Sequence, residues 1–366
     1  MSITHAPLPY HKIVYLFQGG GALGAYQAGV FEGLSACNRP PDWMIGTSVG
    51  AINAAIIAGN HPENRVAKLK EFWGTVSSPL SNFIMPTDND AIRKWVNLWY
   101  THWTIIYGQP GFFKPRLTNP WLDTKSSPDK ISFYDTAELK KTIERLVDFE
   151  IINQRKVRLT LGCVRLEDDE LVYFDNKHHD IGSEHIMASA ALPPGFPAVK
   201  IEGKYYWDGG ISSNTPLSVV LADLAPEKLL CFIVNLFSSR EELPKSMLDV
   251  LKRRKDIEFA GRYESMLAAF CELNHLKHTI HELRKGKETP SLLNKSNPMT
   301  HFSALNLVKF HYRDRTFDLW SKDFEFSRQS IQEHYQMGYN NVQNALKNPS
   351  WLDVIPDNAS IVRHNF

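Results

Sequence analysis

The sequence predicts an α/β protein built on a parallel sheet with crossover helices. Three observations predict it. Residues 12–18, KIVYLFQ, are a short apolar run rich in strand formers, followed at once by glycines. The next stretch, ALGAYQAGVFEGLSACN, places Leu23, Tyr26, Ala28, Val30, Phe31 and Leu34 at helical spacings. Residues 42–46, DWMIG, then read as a second strand, and residues 49–59 as an Ala/Ile helix ending at Gly59. Strand, glycine loop, helix, strand, tight turn, helix is the alternation of a parallel sheet.

The later elements follow the same reasoning. AIRKWVNLWYTHWTIIY sets Ile92, Trp95, Val96, Trp99, Trp103, Ile106 and Tyr107 on one helical stripe. That stripe is expected to pack Trp95, Trp99 and Trp103 into the core with some pocket lining; a lid or an interfacial anchor is the alternative. GQPGFFKPRLTNPW reads as a loop, and Asp135 with Glu138 as a capping box opening TAELKKTIERLV. KVRLTLGCV and ELVYF read as strands, SEHIMASAALPPGF as a short helix stopped by prolines, and AVKIEGKYYWDGG as a hairpin. Residues 229–237, LLCFIVNLF, are a buried strand. Residues 245–287 read as charged helix, 289–300 as a Pro/Ser/Asn-rich linker, ALNLVKFHY as a strand and DFEFSRQSIQEHYQMGYNNVQNAL as a helix. The basic run Lys252-Arg253-Arg254-Lys255 reads as a solvated helix face, with contact to anionic lipid as the alternative.

Composition narrows the function classes. In 366 residues, 41 Lys+Arg balance 40 Asp+Glu, so there is no electrostatic footprint for nucleic acid. Cys37, Cys163, Cys231 and Cys271 are widely spaced in apolar company, which predicts buried free thiols in a reducing compartment and no metal site. The N-terminal residues lack the basic start and apolar run of a signal peptide, and no stretch has the length of a membrane span. The expectation is a soluble, cytoplasmic protein without cofactor, whose membrane contact is at most peripheral. Nothing in the sequence sets an oligomeric state.

Two glycine-rich stretches carry chemistry. Gly46-Thr47-Ser48-Val49-Gly50 is a G-x-S-x-G between a predicted strand and a predicted helix, the context that a nucleophile elbow requires. Small neighbours permit a strained turn that lifts the serine hydroxyl above the sheet; a plain helix-capping serine is the alternative. Gly19, Gly21 and Gly24 form a G-x-G-x-x-G. A dinucleotide site would need an acidic residue at the end of the second strand, about 20 residues on. Asp42 has that separation but precedes the strand, and the strand ends instead in the serine elbow. The N–H groups of Gly19, Gly20 and Gly21 are better read as donors to a developing oxyanion, backed by a helix dipole, with a mere tight turn as the alternative. For the base, the histidines after residue 210 (His275, His278, His281, His301, His311, His334, His364) read as surface or capping residues, and His178 and His179 as solvated. Asp208, held in a turn by Gly209 and Gly210, is the better partner for Ser48, although an Asp-Gly turn is common anywhere.

These three motifs, in this order, resemble the patatin-like phospholipase family over roughly residues 12–222. SAALPPGFPAVKIEGKYYWDGGISSNTP resembles the family's approach to its aspartate, with Pro193, Phe196, Asn214 and Pro216. The resemblance implies a three-layer α/β/α fold, a Ser48–Asp208 dyad without histidine, and hydrolysis of lipid carboxylic esters through an acyl-enzyme. It places an acyl hydrolase domain at 12–222, its sheet completed by strand 229–237, and a mainly helical extension of unknown role at 223–366. KDFEFSR and HYQMGYNNVQNAL are similar to an extension found on some bacterial relatives. The family often has Arg or Lys where this chain has Leu23, a departure that bears on the head group more than on ester hydrolysis. The rival readings are an esterase or depolymerase acting on another ester, such as a storage polyester, and a non-catalytic lipid or nucleotide binder on the same fold.

Overall fold

A computed structural model of the chain describes residues 10–78, 89–122, 126–223, 228–238, 242–260, 263–284, 304–352 and 361–366. The linker expected at 289–300 and the first nine residues lie outside the described residues. Strand β1 (Lys12–Phe17) builds a core on each of its faces by simple alternation. Tyr15 and Phe17 enter one apolar cluster, Val14 and Leu16 the other. Helix α1 (Gly24–Ser35) follows, then β2 (Trp43–Gly46), α2 (Val49–Ala58), α3 (Arg65–Thr75) and α4 (Asp90–Tyr107). A two-residue pair, β3 (Lys114–Pro115) and β4 (Tyr134–Asp135), leads to α5 (Ala137–Leu146) and α6 (Phe149–Asn153). Next come β5 (Arg158–Arg165), β6 (Leu171–Asp175), α7 (Ser183–Ser189), β7 (Val199–Ile201), β8 (Lys204–Asp208) and α8 (Leu217–Ala222). The chain ends with β9 (Lys228–Asn235), α9 (Met247–Phe259), α10 (Tyr263–Arg284), β10 (Ala304–His311), α11 (Arg328–Ala345) and β11 (Ile361–Asn365).

The main sheet runs β11-β10-β9-β1-β2-β5-β8-β7, with β6 also on β5. Pairings from β11 through to β5 are parallel, while β6, β7 and β8 pair antiparallel. Helices α1, α2 and α11 cover the face of Tyr15 and Phe17, and α8 and α10 cover the face of Val14 and Leu16. The result is the expected mostly parallel three-layer arrangement. Strand order reverses at β1, so the loops after β1, β2 and β9 open together at one end of the sheet.

The segment after residue 222 is threaded through this architecture. β9 sits inside the sheet between β1 and β10. α11 lies so close on α1 that a Cβ at Gly338 would overlap the Tyr26 carbonyl oxygen and one at Gly29 the Tyr335 carbonyl oxygen.

Four expectations change. Asp135 accepts the Ala137 N–H, but Glu138 reaches the Gly111 N–H and Lys114 instead of closing a capping box. The run 252–255 is no solvated face: Lys252 pairs with Asp314 and Lys255 with Asp323, because α9 packs onto the C-terminal loops. His334 is buried, its Nε2 2.9 Å from Arg315 and its ring edge-on to Tyr312. The four cysteines are free, but only Cys163 and Cys231 are buried.

The expected core packing of Trp95 and Trp99 is also overturned. Their sides of α4 face outward, at 75% and 54% exposure, while Arg93, Asn97, Thr101 and Thr104 are buried.

Candidate active site

Residues 43–60 are buried except for Ser48. It has φ 56° and ψ −130°, a backbone conformation costly for any residue with a Cβ. The surroundings impose it. A Cβ at Gly46 would overlap the Gly50 carbonyl oxygen, and one at Gly50 the Phe17 carbonyl oxygen, so β2 and α2 meet at a turn that only glycines permit. Thr47 N–H donates to Phe17 O at 3.2 Å, and Ser48 N–H to Ser189 O at 3.0 Å. Val49 opens α2.

Pairing along β5 explains how Asp208 arrives. β2 pairs with residues 158–161 of β5 and β8 with residues 163–165, whereas β6 spans 160–164. A residue has only two neighbours in a sheet, so β6 holds one edge and β2 and β8 share the other. They meet head to head, and Asp208, opposite Cys163, ends β8 just beyond the end of β2. Asp208 is 1% exposed. Its Oδ1 accepts the Gly210 N–H at 2.7 Å, while its Oδ2 has no hydrogen-bond partner. Burial pushes the carboxyl up to about 7, against the opposing pulls of the Gly210 N–H and the nearby Ser48 hydroxyl. The hydroxyl is thus close enough to favour the carboxylate without completing a hydrogen bond to it.

Gly19, Gly20, Gly21, Ser48, Val49, Asp208 and Gly210 line one cavity of about 60 Å³. Gly24, Gly46, Thr47, Gly50 and Gly209 stand behind it. Gly24 makes room for Val49 and Trp73, and Gly209 for the Gly162 carbonyl. The Gly19 N–H donates to Asn214 Oδ1 at 3.1 Å. It is therefore occupied, a correction to its expected place among the oxyanion donors. Gly21 has φ +53° and lies so close to the Asp323 carbonyl oxygen that no side chain fits there. Leu23 is fully buried. Asp42 accepts the Ile13 N–H at 2.7 Å, at the end of β1 away from the glycines.

Other parts of the site have no local sequence signal. Gln18 is buried and holds three loops together: Oε1 accepts the Leu236 and Phe237 N–H groups, and Nε2 donates to Thr215 and Phe259. Phe112, Phe113, Phe196, Phe237, Phe259 and Phe326 complete the cavity wall. Their side chains come from positions far apart in the chain, so only the assembled fold identifies them. Among the described residues no cluster of His, Cys, Asp or Glu could hold a metal ion. No described helix is long and apolar enough to cross a membrane.

Fold and site define the class: an α/β protein with a serine elbow at the topological switch point of a mostly parallel sheet. The chain belongs to the patatin-like phospholipase family, whose model matches residues 15–221. A second model, described as Patatin phospholipase, matches residues 257–358. The general assignment that follows is a lipid ester hydrolase. No curated protein matches the chain. Among solved structures it is similar to VipD from Legionella pneumophila, 16% identical, with 94% of this chain and 69% of that chain covered and a TM-score of 0.40.

Proposed function

We propose that the protein hydrolyses carboxylic esters of lipids, in the manner of a phospholipase A, lysophospholipase or lipid acyl hydrolase, through an acyl-enzyme on Ser48. The observation that carries the reading is the juxtaposition of the one open residue of the elbow with the unpartnered Oδ2 of a buried carboxyl. Asp208 takes the Ser48 proton as Oγ attacks the ester carbonyl. The N–H groups of Gly20 and Gly21 hold the tetrahedral oxyanion, next to the start of α1. Collapse breaks the ester C–O bond, and the protonated Asp208 gives its proton to the departing alcohol. Water then enters, loses a proton to Asp208 and attacks the acyl carbonyl; Ser48 Oγ recovers the proton as the fatty acid leaves. A carboxylate is ordinarily a weak base for this work, and a pKa of about 7 brings it nearer the task. The phenylalanine-lined wall favours an apolar acyl group.

The test is hydrolysis of short p-nitrophenyl esters and phospholipids by purified protein. Ser48→Ala and Asp208→Asn are each expected to lose roughly a thousandfold or more in kcat. A fluorophosphonate probe is expected to label Ser48 in the parent protein. Wild-type rates in both variants would overturn the dyad.

A further inference from the structure

Helix α4 is built inside out. Its buried face is polar and well anchored: Arg93 donates to Ser330 at 3.0 Å and to Glu333 at 2.9 Å, and Thr101 shares a hydrogen bond with Ser321 at 3.1 Å. Its outward face carries Trp95, Trp99 and Ile106, all more than half exposed. Trp99 stacks on Trp103 with ring centroids 5.4 Å apart, so the rings form one aromatic surface. The same character continues in the loop beyond it, where Trp121 and Leu122 are each 80% exposed. Burial of the polar face means that this helix cannot simply roll over to hide its tryptophans, because Arg93 would leave its partners.

We propose that α4 and the 117–122 loop form a docking face for a lipid bilayer bearing anionic head groups. Three features select that occupant. Tryptophan with flanking aliphatic groups is the chemistry of a membrane interface, where the ring lies at head-group depth. The charge is suitable: between residues 89 and 122 the one acidic residue is Asp90, while exposed Lys94 stands beside Trp95. Lys114 and Arg116 add positive charge, although they are partly met by Glu138 and Asp135. Finally, the chain leads directly from this face into the candidate site. Phe112 and Phe113, just past the end of α4, line the cavity that holds Ser48. The choice of a bilayer over a second copy or another protein rests on the lipid-ester reading, since a lipid must pass from its membrane into that cavity.

The experiment is vesicle co-sedimentation of the full chain carrying Ser48→Ala, so that binding is read without hydrolysis. The vesicles are phosphatidylcholine with and without roughly one-third phosphatidylglycerol. Binding to the anionic vesicles is expected, and weaker binding to the neutral ones. Adding Trp95→Ala and Trp99→Ala is expected to weaken it at least about tenfold with an unchanged Tm. Trp121→Ala, in a separate element, gives a smaller loss and serves as the check if the double variant misfolds. The proposal is overturned if the Ser48→Ala protein ignores anionic vesicles, or if folded tryptophan variants bind them equally well. It is also overturned if sedimentation velocity shows a dimer that the tryptophan variants dissociate, which would assign the face to a second copy. Ester hydrolysis of the parent protein is measured separately, so a failure of docking and a failure of the catalytic reading give different results.

Discussion

At Ser48 the chain accepts strain at the position proposed for the nucleophile. A positive φ on a residue with a Cβ costs on the order of 1–3 kcal/mol. Ser48→Gly is therefore expected to raise stability by about 1 kcal/mol in denaturant melts while abolishing ester hydrolysis. Asp208 makes the matching statement in pH. Its folded pKa of about 7 lies above the ordinary carboxyl value, so the native state binds the proton more tightly than the unfolded chain. The sign follows: this group costs nothing well below 3.8, its ordinary value, and its penalty grows from there to its full size as pH rises through 7. Asp208→Asn is expected to stabilise the fold at pH 8 by on the order of a few kcal/mol, with a higher Tm, and the gain vanishes only as pH falls below the ordinary carboxyl value. In the parent protein kcat/KM is expected to climb with pH up to about 7 and then level, as the base becomes ionised. A gain that is independent of pH would show that Asp208 is an ordinary carboxylate. That both residues line one cavity was legible in the sequence, because each is announced by glycines that shape its own turn. The Gly19 N–H was not, since its partner Asn214 lies 195 positions away.

Among the elements, strands and helices were read well where one face alone is apolar or where a strand is buried outright. The alternation in KIVYLF and the run LLCFIVN both became central strands. Helix α4 shows what periodicity cannot decide. It locates a stripe at helical spacing but not the side on which the protein lies. The deciding signal was the opposite stripe, where Arg93, Asn97, Thr101 and Thr104 recur at the same spacing; Arg93 and Thr101 find polar partners on the C-terminal segment, and Thr104 meets Gln109. The contact of α1 with α11 was hidden for a different reason. Glycines in a helix read as weak helix formers until a second backbone is seen against them. Gly338→Ala is expected to cost about 3 kcal/mol in a chemical melt, because the added methyl meets the Tyr26 carbonyl and the Val30 nitrogen in the facing helix backbone. A loss below 1 kcal/mol would mean that the two helices separate easily.

For the whole molecule, the segment after residue 222 supplies structure as well as length. β9 pairs with β1 from Lys12 to Phe17, and Asp323, Phe324 and Phe326 wall the cavity beside the glycine loop. The buried Lys322 ammonium, next in sequence to Asp323, ties Asp256 of α9 to Asp314. A chain ending at residue 223 is therefore expected to give no cooperative thermal transition and to aggregate, since β1 would present an unpaired apolar edge. A soluble fragment with a sharp melt would show that β9 adds onto a sheet that is already stable.

The place of β1 has one more consequence, and it concerns time. The ribosome makes this strand before the other described strands of its sheet, yet one of its two neighbours, β9, begins only at Lys228. The loop that meets the glycines at Asp323 comes later still. Until Asp323 has been made, the nascent chain holds its serine elbow without the wall that shapes the cavity. Ester-cleaving capacity should thus appear late and all at once. Folding should be slow, as expected where the central pairing waits on distant sequence.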